Sequence, residues 1–240
     1  MFIELTEFLR CPKDHEEAHA VCLPLGMEGR DVRRGIVGCP HCHAEYPIRE
    51  GVADFTEGAD ERTSGPADAS AHGRAGAGAA SGSSGAEVRW SARPLVRPSA
   101  GPLVRPSAPG PLTAPALATL LDLRGPGGFL LLAGAAARLG ADLVPLVPDV
   151  HVVCVNAPEN TPRTAGCSFL RAPASIPLTT SSMRAAVLGA DMAVAPWLAE
   201  GVRVLLRGLR FVAEDEHASP AGVAELARGA GLYVGEKRDR

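Results

Sequence analysis

Cys11, Cys39 and Cys42 stand in two Cys-Pro turns, LRCPKDH and GCPHC, separated by about two dozen residues. Turns that offer soft donors at close spacing bring thiolates onto one tetrahedral ion from two hairpin corners, as in a zinc ribbon. The fourth donor is less clearly marked. The usual knuckle places it three residues after Cys11, where this chain has Asp14, with His15 next to it. Imidazole is the commoner companion of thiolates on zinc, so His15 is favoured over Asp14, with Cys22 a more distant alternative. Four protein donors leave no open position for water, so zinc held by Cys11, His15, Cys39 and Cys42 would be structural. His41 and His43 read as exposed turn residues.

The elements that must position this cluster are short. FIELTEFLRCP sets Phe2, Ile3, Leu5, Phe8 and Leu9 at the spacing of a short amphipathic helix closing at Pro12. About 57 residues make a marginal core without a metal or another staple. Residues 58–110 are almost without periodic apolar positions and read as a disordered Gly/Ser/Pro-rich linker. The linker repeats PLVRPSA at 94–100 and 102–108, and Trp90 is its one candidate anchor.

From residue 111 to the end, apolar runs alternate with helix-like stretches. FLLLAG (129–134), VHVVCVNAP (150–158), CSFLRA (167–172), RAAVLGA (184–190), LRFVAEDE (209–216) and LYVGEKR read as strands. APALATLLDL, AAARLGADLVPLV and WLAEGVRVLLRG read as helices, as does SPAGVAELARGAG, with Ser219 as its N-cap and Gly229 and Gly231 at its end. This alternation predicts an α/β class: a C-terminal Rossmann-like parallel sheet with helices on both faces, plus a small N-terminal zinc-ribbon-like α+β domain. Cys154 and Cys167 lie in apolar strand contexts and read as core.

Composition sets bounds. The chain has 46% hydrophobic and 21% charged residues, the balance of a globular protein, and its net charge of -3 gives no strong nucleic-acid signal. Residues 1–57 carry eleven acidic against six basic side chains, which argues against a nucleic-acid finger. No apolar run is long enough for a membrane span, and MFIELTEFLRCP lacks the features of a signal peptide, so a cytoplasmic location is expected. Unpaired or metal-bound cysteines suit that compartment.

LTEFLRCPKDH and GIVGCPHCHAEYPIREGVADF resemble the tRNA-methyltransferase activator family and its short bacterial relatives. The run Tyr46, Pro47, Ile48, Arg49, Glu50, Gly51, Val52 matches the family's aromatic-Pro-Ile-Arg-acid-Gly-Val hallmark, with Ala53 in place of its final proline. The resemblance implies a protein-binding module that docks on a methyltransferase-like domain, in the same or another chain, through apolar surface. Residues 112–240 in turn resemble a class I S-adenosylmethionine-dependent methyltransferase domain, with one closing strand where that family has a hairpin. It implies S-adenosylmethionine as a cofactor, bound near Gly134, Ala136 and Asn156. Here the chain departs from the family: Ala136 and Arg138 stand where glycines belong, and Asn156 where an acid holds the ribose. An alternative register makes LLDLRGPGG the glycine loop, with Asp122 as the motif acid. No catalytic residue is assigned. The reading these residues favour is a non-catalytic protein that acts through protein binding or scaffolding. The alternatives are an active methyltransferase with its activator fused in cis, and a Rossmann-like protein for another nucleotide.

Overall fold

In this computed structural model, residues 1–56 and 112–238 are described; the expected linker, its PLVRPSA repeats and Trp90 lie outside the described residues. Ile3–Phe8 is a 3-10 helix bounded by extended Phe2 and Leu9. Six residues between two extended neighbours leave little room for an i-to-i+4 ladder, and Thr6 Oγ1 turns back to donate to the Ile3 carbonyl at 2.7 Å. Four antiparallel strands follow: β1 (Val21–Glu28), β2 (Asp31–Gly38), β3 (Glu45–Arg49) and β4 (Val52–Asp54). The hallmark run is a hairpin in which Glu50 and Gly51, at φ of 50° and 81°, form the two-residue turn between Arg49 and its partner Val52.

The C-terminal part opens with helix α1 (Ala114–Leu121) and strand β5 (Phe129–Ala133), both apolar as expected. The next predicted helix is broken. It runs as a 3-10 turn over Gly134–Leu139, a short α2 (Gly140–Leu143) and a second 3-10 turn over Val144–Leu146, interrupted where Gly140 and Pro145 weaken the helical ladder. Then come β6 (His151–Val155), β7 (Cys167–Arg171), β8 (Ala185–Leu188), helix α3 (Ala195–Val204) and β9 (Arg210–Ala213). Two expectations are corrected at the end of the chain. The stretch expected as a helix is loop from Ser219 and then strand β10 (Val223–Gly229), which forms a closing hairpin with β11 (Leu232–Lys237) in place of a single strand. Gly229 ends β10 opposite Leu232, and Gly231 serves the hairpin turn, where Ala230 and Gly231 have φ of 54° and 76°.

All eleven strands of the described residues join in one sheet, ordered β1-β2-β3-β4-β7-β6-β5-β8-β9-β11-β10. Strands β7, β6, β5, β8 and β9 are parallel, with the order reversing at β5, and β11 enters antiparallel beside β9. This mixed sheet with its helices is a Rossmann-like α/β fold, and the small Cys-rich region precedes it. The register with Asp122 as the motif acid is not adopted: Asp122 is the left-handed C-cap of α1, and the GPGG turn precedes the first parallel strand.

The strands divide two cores by period-2 alternation. Leu130, Leu132, Val152 and Cys154 pack under α1 and α2 with Leu117, Leu121 and Leu143. Leu131, Ala133, Val153 and Val155 face the other way, among α3 and the N-terminal residues Leu5, Leu9, Tyr46 and Phe55. On that second face the β7-to-β8 crossover, residues 172–184, carries no helix and lies alongside the N-terminal residues instead. Leu9 bridges Leu178, Arg10 N–H donates to the Pro177 carbonyl at 3.1 Å, and Thr179 N–H donates to Phe8 at 2.8 Å. Phe2 stacks on His151 at 4.4 Å and Phe8 meets Phe129 edge-on at 5.2 Å. Burial pushes His151 down to about 4, so the imidazole against Phe2 is neutral.

Strand β4 extends the sheet by pairing parallel to β7, through Val52 with Phe169, Ala53 with Leu170 and Asp54 with Arg171. Where the N-terminal residues meet the β7-to-β8 crossover and α3 lies a network on Glu200. Its carboxylate accepts from Arg203 Nε and Nη2 at 2.8 Å each, from Ile176 N–H at 2.8 Å and from Arg10 Nη2 at 3.3 Å. Burial pushes the Glu200 carboxyl up, but Arg203, the Ile176 amide and Arg10 together outweigh it and hold the group below the usual glutamate range. With the folded value depressed, its contribution is complete above about pH 4.3 and is lost as pH falls through the lower folded value. Glu200→Gln should therefore cost about 2 kcal/mol in urea unfolding at pH 7. The deficit against wild type should shrink below about pH 4; an undiminished deficit at acid pH would contradict the charged role.

Candidate functional site

The Arg10–His19 bridge and the Val21–Gly38 pair bring both Cys-Pro turns to the same end of the β1–β2 hairpin. There the donor atoms of Cys11, His15, Cys39 and Cys42 all lie within 4.8 Å of one another. Cys11 Sγ is 3.7 Å from Cys42 Sγ, and Cys39 Sγ is 3.4 Å from His15 Nε2. A tetrahedral ion with metal–sulfur bonds of about 2.3 Å and a metal–nitrogen bond of about 2.0 Å needs S···S near 3.8 Å and S···N near 3.5 Å. The cluster therefore could hold a metal ion, and its dimensions suit one of zinc's size.

Neighbouring groups orient the donors. His15 Nδ1 is 2.6 Å from the Glu16 carbonyl; donating there, it leaves Nε2 as the free lone pair beside Cys39. The Cys42 amide donates to Cys39 Sγ at 3.5 Å, and the Tyr46 hydroxyl lies 3.3 Å from Cys11 Sγ. Burial pushes the Cys11 thiol up to about 11, so a bound cation would have to displace its proton. Asp14 and Cys22 are not part of the cluster, and His41 stands outside it with its ring 4.7 Å from that of His15. Tyr46, read from sequence only as the start of a hallmark, is the residue whose hydroxyl reaches the cluster.

The second candidate site is the crevice at the carboxyl ends of β5 and β8, where the strand order reverses. Gly134 ends β5 with φ of 61°, and Ala136 is fully buried behind it. The loop's first amide is already engaged: Ala135 N–H donates to Asp191 Oδ1 at 2.8 Å. A Cβ on Gly134 would lie 2.4 Å from that same oxygen, so Asp191 is seated in the space the glycine opens. Arg138 closes the other side, donating to the Ala135 carbonyl at 2.7 Å and to Glu214 Oε2 at 2.9 Å, with a further bond to Glu214 Oε1. Asn156 is also committed. Its side chain donates to the Ala172 carbonyl at 2.9 Å and accepts the Ala172 amide at 2.8 Å, bracing β6 to the chain after β7. Asp191 was not read from sequence; its only signal is an acidic residue just after the apolar run RAAVLGA. Cys154 and Cys167 are buried, with both sulfurs 3.4 Å from where a Cβ on Gly140 would lie.

No protein-family model matches the chain, and no curated protein matches it. Among solved structures, it is similar to a complex between the Haloferax volcanii Trm112 methyltransferase activator and a methyltransferase, with 13% identity over 53% of this chain and 89% of that one, at a TM-score of 0.42. It is similar to the antibiotic-resistance methyltransferase Kmr, with 14% identity over 55% of this chain and 95% of that one, at 0.40. A third is the [4+2]-cyclase SpnF, with 15% identity over 48% of this chain and 57% of that one, at 0.39.

Cobalt(II) added to the reduced protein is expected to bind with the strong thiolate absorption and visible bands of a tetrahedral site, and Cys39→Ser to abolish those bands. An octahedral, weakly absorbing spectrum would contradict a ligand set drawn from these four donors.

Proposed function

We propose that the protein is a zinc-stabilised, methyltransferase-like chain that acts through protein binding or scaffolding and not through methyl transfer. The observation that carries this reading is the Asp191 carboxylate on the Ala135 amide, 2.8 Å away, at the head of the glycine loop. In the methyltransferases the C-terminal part resembles, that loop's amides receive the carboxylate-bearing end of S-adenosylmethionine. Here a carboxylate of the chain itself holds the position, and a second carboxylate could enter only by displacing it against charge repulsion. The Arg138–Glu214 pair and the Asn156 brace support the same reading, because each satisfies its polar groups within the protein.

In the same reading Cys11, His15, Cys39 and Cys42 hold zinc, which would cross-link the segment after the 3-10 helix to the turn between β2 and β3. The resulting platform carries Tyr46 and the β3–β4 hairpin to β7. That docking in cis is also the observation favouring the alternative of an active methyltransferase carrying its own activator.

Calorimetry with S-adenosylmethionine separates the two. Wild type should show no saturable binding tighter than about 1 mM, and Asp191→Ala, which frees the amide, should bind measurably better. Micromolar binding by wild type would overturn the proposal.

A further inference from the structure

Strand β1 lies at an edge of the sheet and turns apolar side chains to solvent along its length: Val21 is 64% exposed, Leu23 58%, Leu25 60% and Met27 47%. Large aliphatic side chains in one exposed row are a recognition feature more often than an accident. The backbone of this edge is poorly suited to receive another strand. Pro24 has no amide to donate, and the pairing with β2 slips between Pro24 and Gly26, leaving a bulge at Leu25. A partner on this face is therefore held by side chains and not by an added ladder.

An open groove of about 600 Å³ lies beside Leu25, its apolar surface continued by Pro47 of the hallmark hairpin. Arg33, Arg34, Arg49 and Arg163 line it, against a single carboxylate, Glu50. This gathering runs against the local charge. Residues 1–57 carry eleven acidic and six basic side chains, yet three of those six basic groups line one groove. Arg33 is paired with Glu28 at 3.1 Å and Arg163 with Glu50 at 3.3 Å, whereas Arg34 is exposed and has no carboxylate partner among the described residues. Arg163 comes from the chain between β6 and β7, so the groove is complete only while β4 is paired to β7.

We infer that this groove binds an acidic segment of a partner protein, one that presents a large apolar side chain between carboxylates. The apolar side chain would lie on Leu25 and Pro47, and its neighbouring carboxylates would reach the arginines, whose planar forks pair with carboxylate in bidentate fashion. A basic or neutral segment would leave Arg34 without a carboxylate, and a second copy of this face would set arginine against arginine. The inference gives a partner class to the binding role proposed above and rests on that reading. It fails separately, since the crevice at Gly134 is not part of the groove and S-adenosylmethionine titration does not report on it.

The test uses the full-length protein and a fluorescein-labelled peptide in which leucines alternate with glutamates and aspartates, read by fluorescence anisotropy. Two control peptides replace the acids by lysine or the leucines by alanine. Saturable binding of the acidic-apolar peptide is expected, weakened about tenfold by Arg34→Glu and by Leu25→Asp, and at least as much by either control change. Both substitutions are at exposed positions, and unchanged thermal unfolding of Arg34→Glu would show that a loss belongs to the groove. Binding no better than the lysine control would overturn the inference. So would binding indifferent to Arg34→Glu and Leu25→Asp, or equal binding of the alanine control, which would mark general charge attraction. Self-association in sedimentation, abolished by Leu25→Asp, would assign the face to a second copy and overturn it as well.

Discussion

A parallel sheet has two apolar faces, and both must be removed from water. In this chain α1, α2 and their flanking turns cover one face of β5 and β6. The other is covered jointly by α3 and by the first ten residues, with Leu5 and Leu9 wholly buried against strands more than a hundred positions later. Each buried leucine contributes on the order of 2 kcal/mol relative to exposure. The N-terminal residues are thus a structural layer of the C-terminal fold, and the short β4–β7 ladder sets where that layer sits.

That dependence explains why the metal cluster and the hallmark hairpin lie where they do. Cys11 follows Leu9 and Arg10, which contact Leu178 and Glu200, and Tyr46 lies on β3, the strand that turns back as β4. A cation among Cys11, His15, Cys39 and Cys42 would tie the covering segment to the hairpin that extends the sheet, so metal and interface would stabilise each other. The Glu200 network clamps the same region from the side of α3.

Much of this was legible in the sequence where the signal was local and long enough. FLLLA, HVVCV and AAVL are continuous apolar runs, and buried parallel strands require them. The cysteine turns were legible because ligand spacing is a short-range property. Strand β4 was not, because three residues show no period; Val52–Asp54 is held by pairing with β3 on one side and with β7 on the other. Residues 219–231 were misread because the same serine and glycines that cap helices also serve turns, and pairing with β11 decided between them. The place of Asp191 depends on the left-handed turn at Gly134, fifty-seven positions earlier, which no local pattern records.

Native-state hydrogen exchange tests the shared architecture most directly, because it gives an opening free energy at each amide. Three amides suffice: Phe55, which donates to Arg171 across the β4–β7 seam; Thr179, which donates to Phe8 over the second face; and Leu131, in the centre of the sheet. If the N-terminal residues are a layer of the fold, Phe55 and Thr179 should open with the same free energy as Leu131, within about 1 kcal/mol, through global unfolding. Exchange of Phe55 and Thr179 through a much smaller opening, with Leu131 still protected, would show a separable appendage and contradict the account.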